Sequence, residues 1–184
     1  AVVCGRQPAL PYTPGSDGAG TIEAIGPGLT GFSLGQRVYL SGAVPGTYAE
    51  WAVCDATQMH ALPADVSFAQ GAAVNVPYAT AYRALVDRAR TLPGETVLIH
   101  GGSGGVGVAA IQLARAAGQV VLATAGTERG RALVTQQGAH AVFDHTAPDY
   151  LDAVMAATTG RGVDVIVEML ANVNLDKDLG LLAR

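Results

Sequence analysis

An α/β chain in two parts is what this sequence predicts, and three observations predict it. A glycine-rich turn joins an apolar strand to a small-residue helix between residues 97 and 114. Strand and helix patterns alternate from there onward, and up to about Ser67 the pattern is instead one of short strands broken by glycine, proline and serine.

Taken in order, Gly20–Ile25, Gln36–Leu40 and Thr47–Val53 read as strands separated by turn residues, a barrel-like or sandwich-like piece. Composition shifts to alanine from Ala69. Tyr78–Ala89 then carries apolar residues at helical spacing behind Pro77, and this helix is expected to bridge two domains. After Pro93-Gly94, strands are expected at 97–100, 120–124, 141–143 and 163–168. Helices are expected at 105–117, 128–137, 150–158 and from about Asn174. Such alternation gives a parallel sheet with crossover helices, and in the Rossmann order these four strands line up 3-2-1-4. Two further strands of a complete Rossmann sheet have no counterpart here, which leaves an unpaired edge. The expected division is 1–68, part of a β domain, and 69–184, a nucleotide-binding domain.

The composition supports a folded, globular chain: 184 residues, 49% hydrophobic, 14% charged. A net charge of −4, with Lys177 the one lysine and ten arginines scattered, offers no basic stripe for non-specific nucleic-acid binding. Apolar runs stop well short of the ~20 residues of a membrane helix, and no basic-then-apolar leader opens the chain, so a soluble, cytoplasmic setting is expected. Cys4 and Cys54 lack metal or disulfide spacing and read as free thiols. The chain begins at Ala1 and stops inside a helical pattern at 181–184, which predicts a piece of a longer protein.

The turn carries the chemistry. Gly102-Ser103-Gly104-Gly105-Val106-Gly107 is a Gly-x-Gly-x-x-Gly pattern in its required context, after a strand and opening a helix. Gly102 permits a tight turn, Gly104 lets backbone approach a pyrophosphate, and Gly107 lets helix and strand pack closely. An NAD site places a carboxylate about 20 residues further on, at the end of the second strand. Here that position reads Ala123-Thr124-Ala125-Gly126. A 2′-phosphate would meet no anion there, and Arg129 or Arg131 could pair with it, so NADP(H) is expected over NAD. Glu128 is the residue that could take the opposite role, and the two arginines could equally be solvated helix-face charges. Of the histidines, His100 and His140 read as hydrogen-bonded structural residues, and His60, His100, His140 and His145 show no metal-ligand spacing, so no metal site is expected. Asp17 is expected to pair with Arg37.

These motifs together resemble a known family. Pro11-Tyr12-Thr13-Pro14-Gly15-Ser16-Asp17, Gly46–Glu50, Pro77–Tyr82, the glycine turn, Gly138-Ala139-His140 and Glu168–Leu175 resemble the zeta-crystallin family of NADPH:quinone oxidoreductases, the zinc-free branch of the medium-chain dehydrogenase/reductase superfamily. Only Ala1–Gln7 and Asn75 depart from it. The resemblance implies part of a GroES-like catalytic domain followed by a C-terminally truncated Rossmann domain. It further implies that Ser103, Gly104, Gly105 and Val106 contact the pyrophosphate, Gly126 faces the adenosine ribose, and His145 and Asn174 lie along NADPH. The catalytic histidine of the zinc-dependent relatives is missing from Gly15-Ser16-Asp17, and no four-cysteine lobe is present. Hydride transfer to a quinone needs less acid assistance than transfer to an isolated carbonyl, because the ring delocalises the charge, so the expected substrate is a small-molecule quinone or similar electrophile. Tyr48, Tyr78 and Thr80 are candidates for lining its site, or else packing and capping residues. No catalytic acid is assigned. The resemblance also implies a homo-oligomer when full length. The alternatives to the enzyme are a role in binding AU-rich RNA or as a lens crystallin, and an inactive truncated chain.

Overall fold

The computed structural model describes residues 9–44 and 46–184 and divides into two compact units, 1–76 and 77–184. The readings of Cys4 and of Ala1–Gln7 lie outside the described residues.

The first unit is a three-stranded antiparallel sheet, β1 (Asp17–Thr21), β2 (Arg37–Ser41) and β3 (Met59–Ala61), in the order β1-β2-β3. Ile22, Val38 and Leu62 are its buried apolar side chains. A short helix, α1 (Phe68–Gly71), begins with a reciprocal cap: Ser67 Oγ accepts from Gln70 N, and Gln70 Oε1 accepts from Ser67 N. Its Gly71 lies so close to Leu62 and Ala19 that a Cβ would stand 2.8 Å from a Leu62 methyl.

Two expectations for this unit are corrected. Thr47–Val53 is not a strand; it makes a single bridge, Val44 to Val53, and leaves Tyr48, Trp51 and Val53 exposed. Alternation along a segment creates no strand unless a partner edge is available to take its N–H and C=O groups. The Asp17–Arg37 ion pair does not form either. In the antiparallel register Asp17 faces Ser41 and Arg37 faces Thr21, which puts the two charges at opposite ends of the ladder. Asp17 Oδ1 instead accepts from Asn75 Nδ2 (3.3 Å) and Val76 N (3.1 Å). The Arg37 guanidinium donates to the carbonyls of Pro63, Ala64 and Val66 and lies 4.6 Å above the Phe68 ring.

Helix α2 (Asn75–Tyr82) crosses from the first unit into the second and continues as a π-helical turn, Arg83–Arg88. The second unit has four parallel strands, β4 (Thr96–Ile99), β5 (Val120–Thr124), β6 (Ala141–Phe143) and β7 (Val165–Val167), in the order β6-β5-β4-β7. That is the expected 3-2-1-4 arrangement. The helices are α3 (Gly105–Ala116), α4 (Glu128–Gln136), α5 (Tyr150–Ala157) and α6 (Ala171–Leu179), the last beginning three residues earlier than its sequence pattern indicates.

Both faces of this sheet are covered, which is why β4 reads as an uninterrupted apolar run. Val97 and Ile99 pack with Ala109, Ala110, Ile111 and Ala114 of α3 and with Leu85; Leu98, between them, packs on the opposite face with Leu122, Val154 and Val163. Alternate residues serve alternate cores because successive side chains of a strand point to opposite faces. Leu98 is fully buried, and its truncation to alanine is expected to cost about 2–5 kcal/mol. No helix among the described residues is long and apolar enough to cross a membrane.

Candidate functional site

The site forms where β4 and β5 end, since a parallel sheet delivers the carboxyl ends of its strands to one edge. Leaving β4, Gly101 turns at a φ of +61°, a conformation that suits glycine. Gly102 N donates to Thr124 O (2.8 Å), Gly101 N to Thr124 Oγ1 (3.2 Å), and Gly104 N to Gly101 O (3.0 Å). The turn is thereby fastened to the end of β5 before α3 starts.

The three motif glycines do different work. A Cβ on Gly107 would stand 2.3 Å from Gly101 O and 2.7 Å from Gly102 Cα, so this residue permits contact between helix and turn. A Cβ on Gly102 would press on Val134, Ala123 and Ile111 at 3.0–3.3 Å. A Cβ on Gly104 would meet only Gly101 O, at an ordinary 3.4 Å, and its backbone (φ −81°, ψ 168°) suits any L-residue. Nothing inside the fold requires glycine there. Gly104 is also the N-cap of α3 and offers no side-chain acceptor, which leaves the first N–H groups of the helix available to an anion.

Beside the turn lies an open groove of about 560 Å³, lined by Ser103, Thr127, Arg129, Gly130, Leu133 and Gln136. Thr127 caps α4 by accepting from Gly130 N (3.0 Å). A Cβ on Gly130 would meet Thr127 Oγ1 at 2.9 Å and Ser103 Oγ at 3.1 Å, so Gly130 is what lets the Ser103 hydroxyl approach α4. The two arginines separate here. Arg131 is paired with Asp144 at 2.6 Å, and the Asp144 carboxyl is held below its ordinary range, first by the Thr146 hydroxyl and N–H and further by Arg131. Arg129 is exposed in the groove wall and has no carboxylate partner among the described residues. Glu128 is exposed in the same first turn of α4.

The remaining candidates are placed as follows. Gly105 and Val106 open α3, with the Gly105 Cβ position 3.5 Å from Pro77. Gly126 follows β5 and packs against His145, whose ring atoms lie 2.9–3.0 Å from where a Cβ would be. Asn174, on α6, donates to both Glu168 oxygens, at 3.2 and 3.1 Å. Tyr78 donates to Gln112, and Tyr48 is exposed on the first unit. His140 Nδ1 accepts from Val121 N (2.8 Å) and His100 is buried in a hydrogen-bonded cluster, both structural roles of the expected kind.

Sequence reasoning passed over Thr127 and Gln136 in the groove and the pair Glu168 and Asp178. The signals were available. Thr127 is a cap residue at the start of a helical pattern, and Asn174 and Asp178 are four residues apart, on one helix face.

The fold and this turn define a Rossmann-type α/β unit preceded in the chain by a small β unit. Residues 1–64 match the alcohol dehydrogenase GroES-like domain and residues 105–184 the domain described as zinc-binding dehydrogenase. The chain belongs to the medium-chain dehydrogenase/reductase superfamily. It is 53% identical over 178 residues to a quinone oxidoreductase of Pongo abelii, an alignment spanning 97% of this chain and 54% of that protein. The Escherichia coli quinone oxidoreductase complexed with NADPH superposes with a TM-score of 0.85 at 29% identity, over 97% of this chain and 55% of that one. An NAD-dependent alcohol dehydrogenase superposes with a TM-score of 0.89 at 30% identity, over 95% and 58%. The chain spans about half the length of the curated relatives it matches.

Proposed function

We propose that this chain supplies the NADPH site of a quinone oxidoreductase that works without zinc. The observation that carries the cofactor choice is Arg129, without a carboxylate partner among the described residues, beside a strand end, Ala123–Gly126, that holds no carboxylate. The residues fit the cofactor: Gly104 presents open backbone at a helix N-terminus that a pyrophosphate complements, and Ser103, Thr127 and Arg129 would hold the 2′-phosphate end. Gly126 and His145 would flank the adenosine ribose, with Asn174 further along. Bound there, NADPH supplies a hydride; this chain's residues bind and orient it.

The relatives described as quinone oxidoreductases and the NADPH complex of the E. coli protein support this reading. The absence of zinc is argued from donor chemistry. A catalytic zinc takes three converging His, Cys or carboxylate ligands, and Gly15-Ser16-Asp17 lacks the histidine that the zinc-dependent relatives carry. A quinone, which spreads the developing charge over its ring, is the acceptor class that least needs the missing Lewis acid.

Titration with NADPH and NADH tests the cofactor assignment. Arg129→Ala is expected to raise the NADPH dissociation constant about tenfold, equivalent to about 1.4 kcal/mol, and to leave NADH unchanged. Arg131→Ala is expected to leave the NADPH-to-NADH ratio alone, because Arg131 is committed to Asp144. Equal affinity of the unaltered protein for both nucleotides would overturn the assignment.

A further inference from the structure

Beneath the glycine turn, the second unit holds a cluster of three titratable side chains, His100 and Asp178 buried and Glu168 partly so. His100, the residue after β4, makes its Nε2 contact with Asp178 Oδ1 of α6 at 3.0 Å and lies 3.6 Å from Glu168 Oε2. One ligand atom of each residue lies within 4.8 Å of the other two. The His100 and Asp178 side chains are each 5% exposed. Asp178 Oδ2 is buried without a hydrogen-bond partner. Two carboxylates this close, one buried and one partly buried, cannot both be ionised cheaply, so one tends to keep a proton. The environments separate them. Burial, and then the neighbouring Glu168, push Asp178 up, only partly offset by His100. Glu168 is also pushed up by burial, but the Leu170 N–H, Asp178, the Asn174 amide and His100 together hold it low. A proton on Asp178 Oδ2 would satisfy the orphaned oxygen and face Glu168.

The cluster reaches the site through one atom. Thr124 Oγ1 lies 3.3 Å from His100 Nδ1 and accepts from Gly101 N at 3.2 Å. From the opposite side, the ring of Tyr150 on α5 meets His100 edge-on at 6.4 Å; burial, then Asp178 and Glu168, raise its hydroxyl so that it stays neutral. His100, Glu168, Asp178 and Tyr150 are thus the titratable groups that face one another across β4, the end of β7, α6 and α5.

We propose that Asp178 and His100 are positioning residues for the dinucleotide, holding the glycine turn through Thr124 in the form that accepts a pyrophosphate while Asp178 carries its proton. When that proton leaves to solvent, an additional negative charge is buried under the phosphate site and opposes the ligand. Affinity falls as pH rises through the titration of Asp178. The inference rests on the dinucleotide reading of the site.

The probe is ADP-ribose, which has the pyrophosphate and lacks the 2′-phosphate, whose own ionisation near pH 6 would interfere. Calorimetry between about pH 5 and about pH 9 is expected to show the dissociation constant rising about tenfold across the titration. Asp178→Asn, whose amide can donate permanently to Glu168 and whose carbonyl can accept from His100, is expected to bind at the tight limit with no pH dependence. Thr124→Val is expected to weaken binding and flatten the profile, and Thr124→Ser to restore both. In the free protein, the Gly101 amide resonance is expected to titrate with Asp178 and to stop doing so in Asp178→Asn. Binding that is flat with pH in the unaltered protein, or unchanged in profile by Asp178→Asn, overturns this inference alone; absence of ADP-ribose binding at every pH overturns it together with the dinucleotide reading.

Discussion

Replacing Gly104 with leucine is expected to cripple dinucleotide binding at little cost to the stability of the fold. The backbone of Gly104 lies where any L-residue is comfortable, and an added Cβ meets only Gly101 O at van der Waals distance. On folding the protein therefore gives up only the preference of an N-cap for glycine over leucine, about 0.5–1 kcal/mol. A pyrophosphate drawn to the N-terminus of α3, however, has to approach this backbone, and a leucine side chain would occupy its place. The expected loss is at least about a hundredfold in NADPH affinity, or about 2.7 kcal/mol, with a thermal midpoint lowered by no more than about 4 °C. Nicotinamide fluorescence and a melting curve on the same sample check both halves. Undiminished affinity would remove the turn from the binding site; a collapsed midpoint would mean that Gly104 serves the fold after all.

Gly107→Ala is expected to do the reverse and destabilise the second unit. Alanine in a helix interior ordinarily gains about 1 kcal/mol over glycine. Here its Cβ would overlap Gly101 O and Gly102 Cα, backbone atoms tied to Thr124 that cannot move aside without undoing the turn. Overpacking against a fixed backbone costs about 3 kcal/mol, and the steric term wins by about 2 kcal/mol. A urea unfolding midpoint below that of the unaltered protein is the expected result, and a higher one would show that helix and turn are not in contact. Two glycines three residues apart in one motif are thus under different constraints, since packing requires Gly107 and leaves room for a side chain at Gly104.

The alternating half of the chain was legible because its central strands, β4 and β5, are buried on both faces. Val97–Ile99 and Val120–Ala123 are continuous apolar runs, α3 and α5 each carry a stripe that matches one core, and the order β6-β5-β4-β7 follows from how such units wind. The first unit was less legible. β3, at Met59-His60-Ala61, has no β-branched residue and is a strand only because β2 offers an edge to pair with. Thr47–Val53 has the alternation and lacks the partner. Within the site, the turn was visible as a motif, whereas the roles of the charges were not: Arg129 and Arg131 look alike in sequence, and only the position of Asp144 after β6 separates a committed cation from an available one.

By itself the sequence determined the parallel α/β unit, the glycine turn at the end of its first strand, and the lack of a carboxylate after its second, since periodicity and glycine spacing are local properties of a chain. The tertiary structure alone decided which motif glycine the packing requires, which arginine has no carboxylate partner among the described residues, and that His100, Glu168 and Asp178 meet under the turn. Those are distances of a few ångströms between residues as many as 78 positions apart, and such distances are set by packing, which no local pattern encodes.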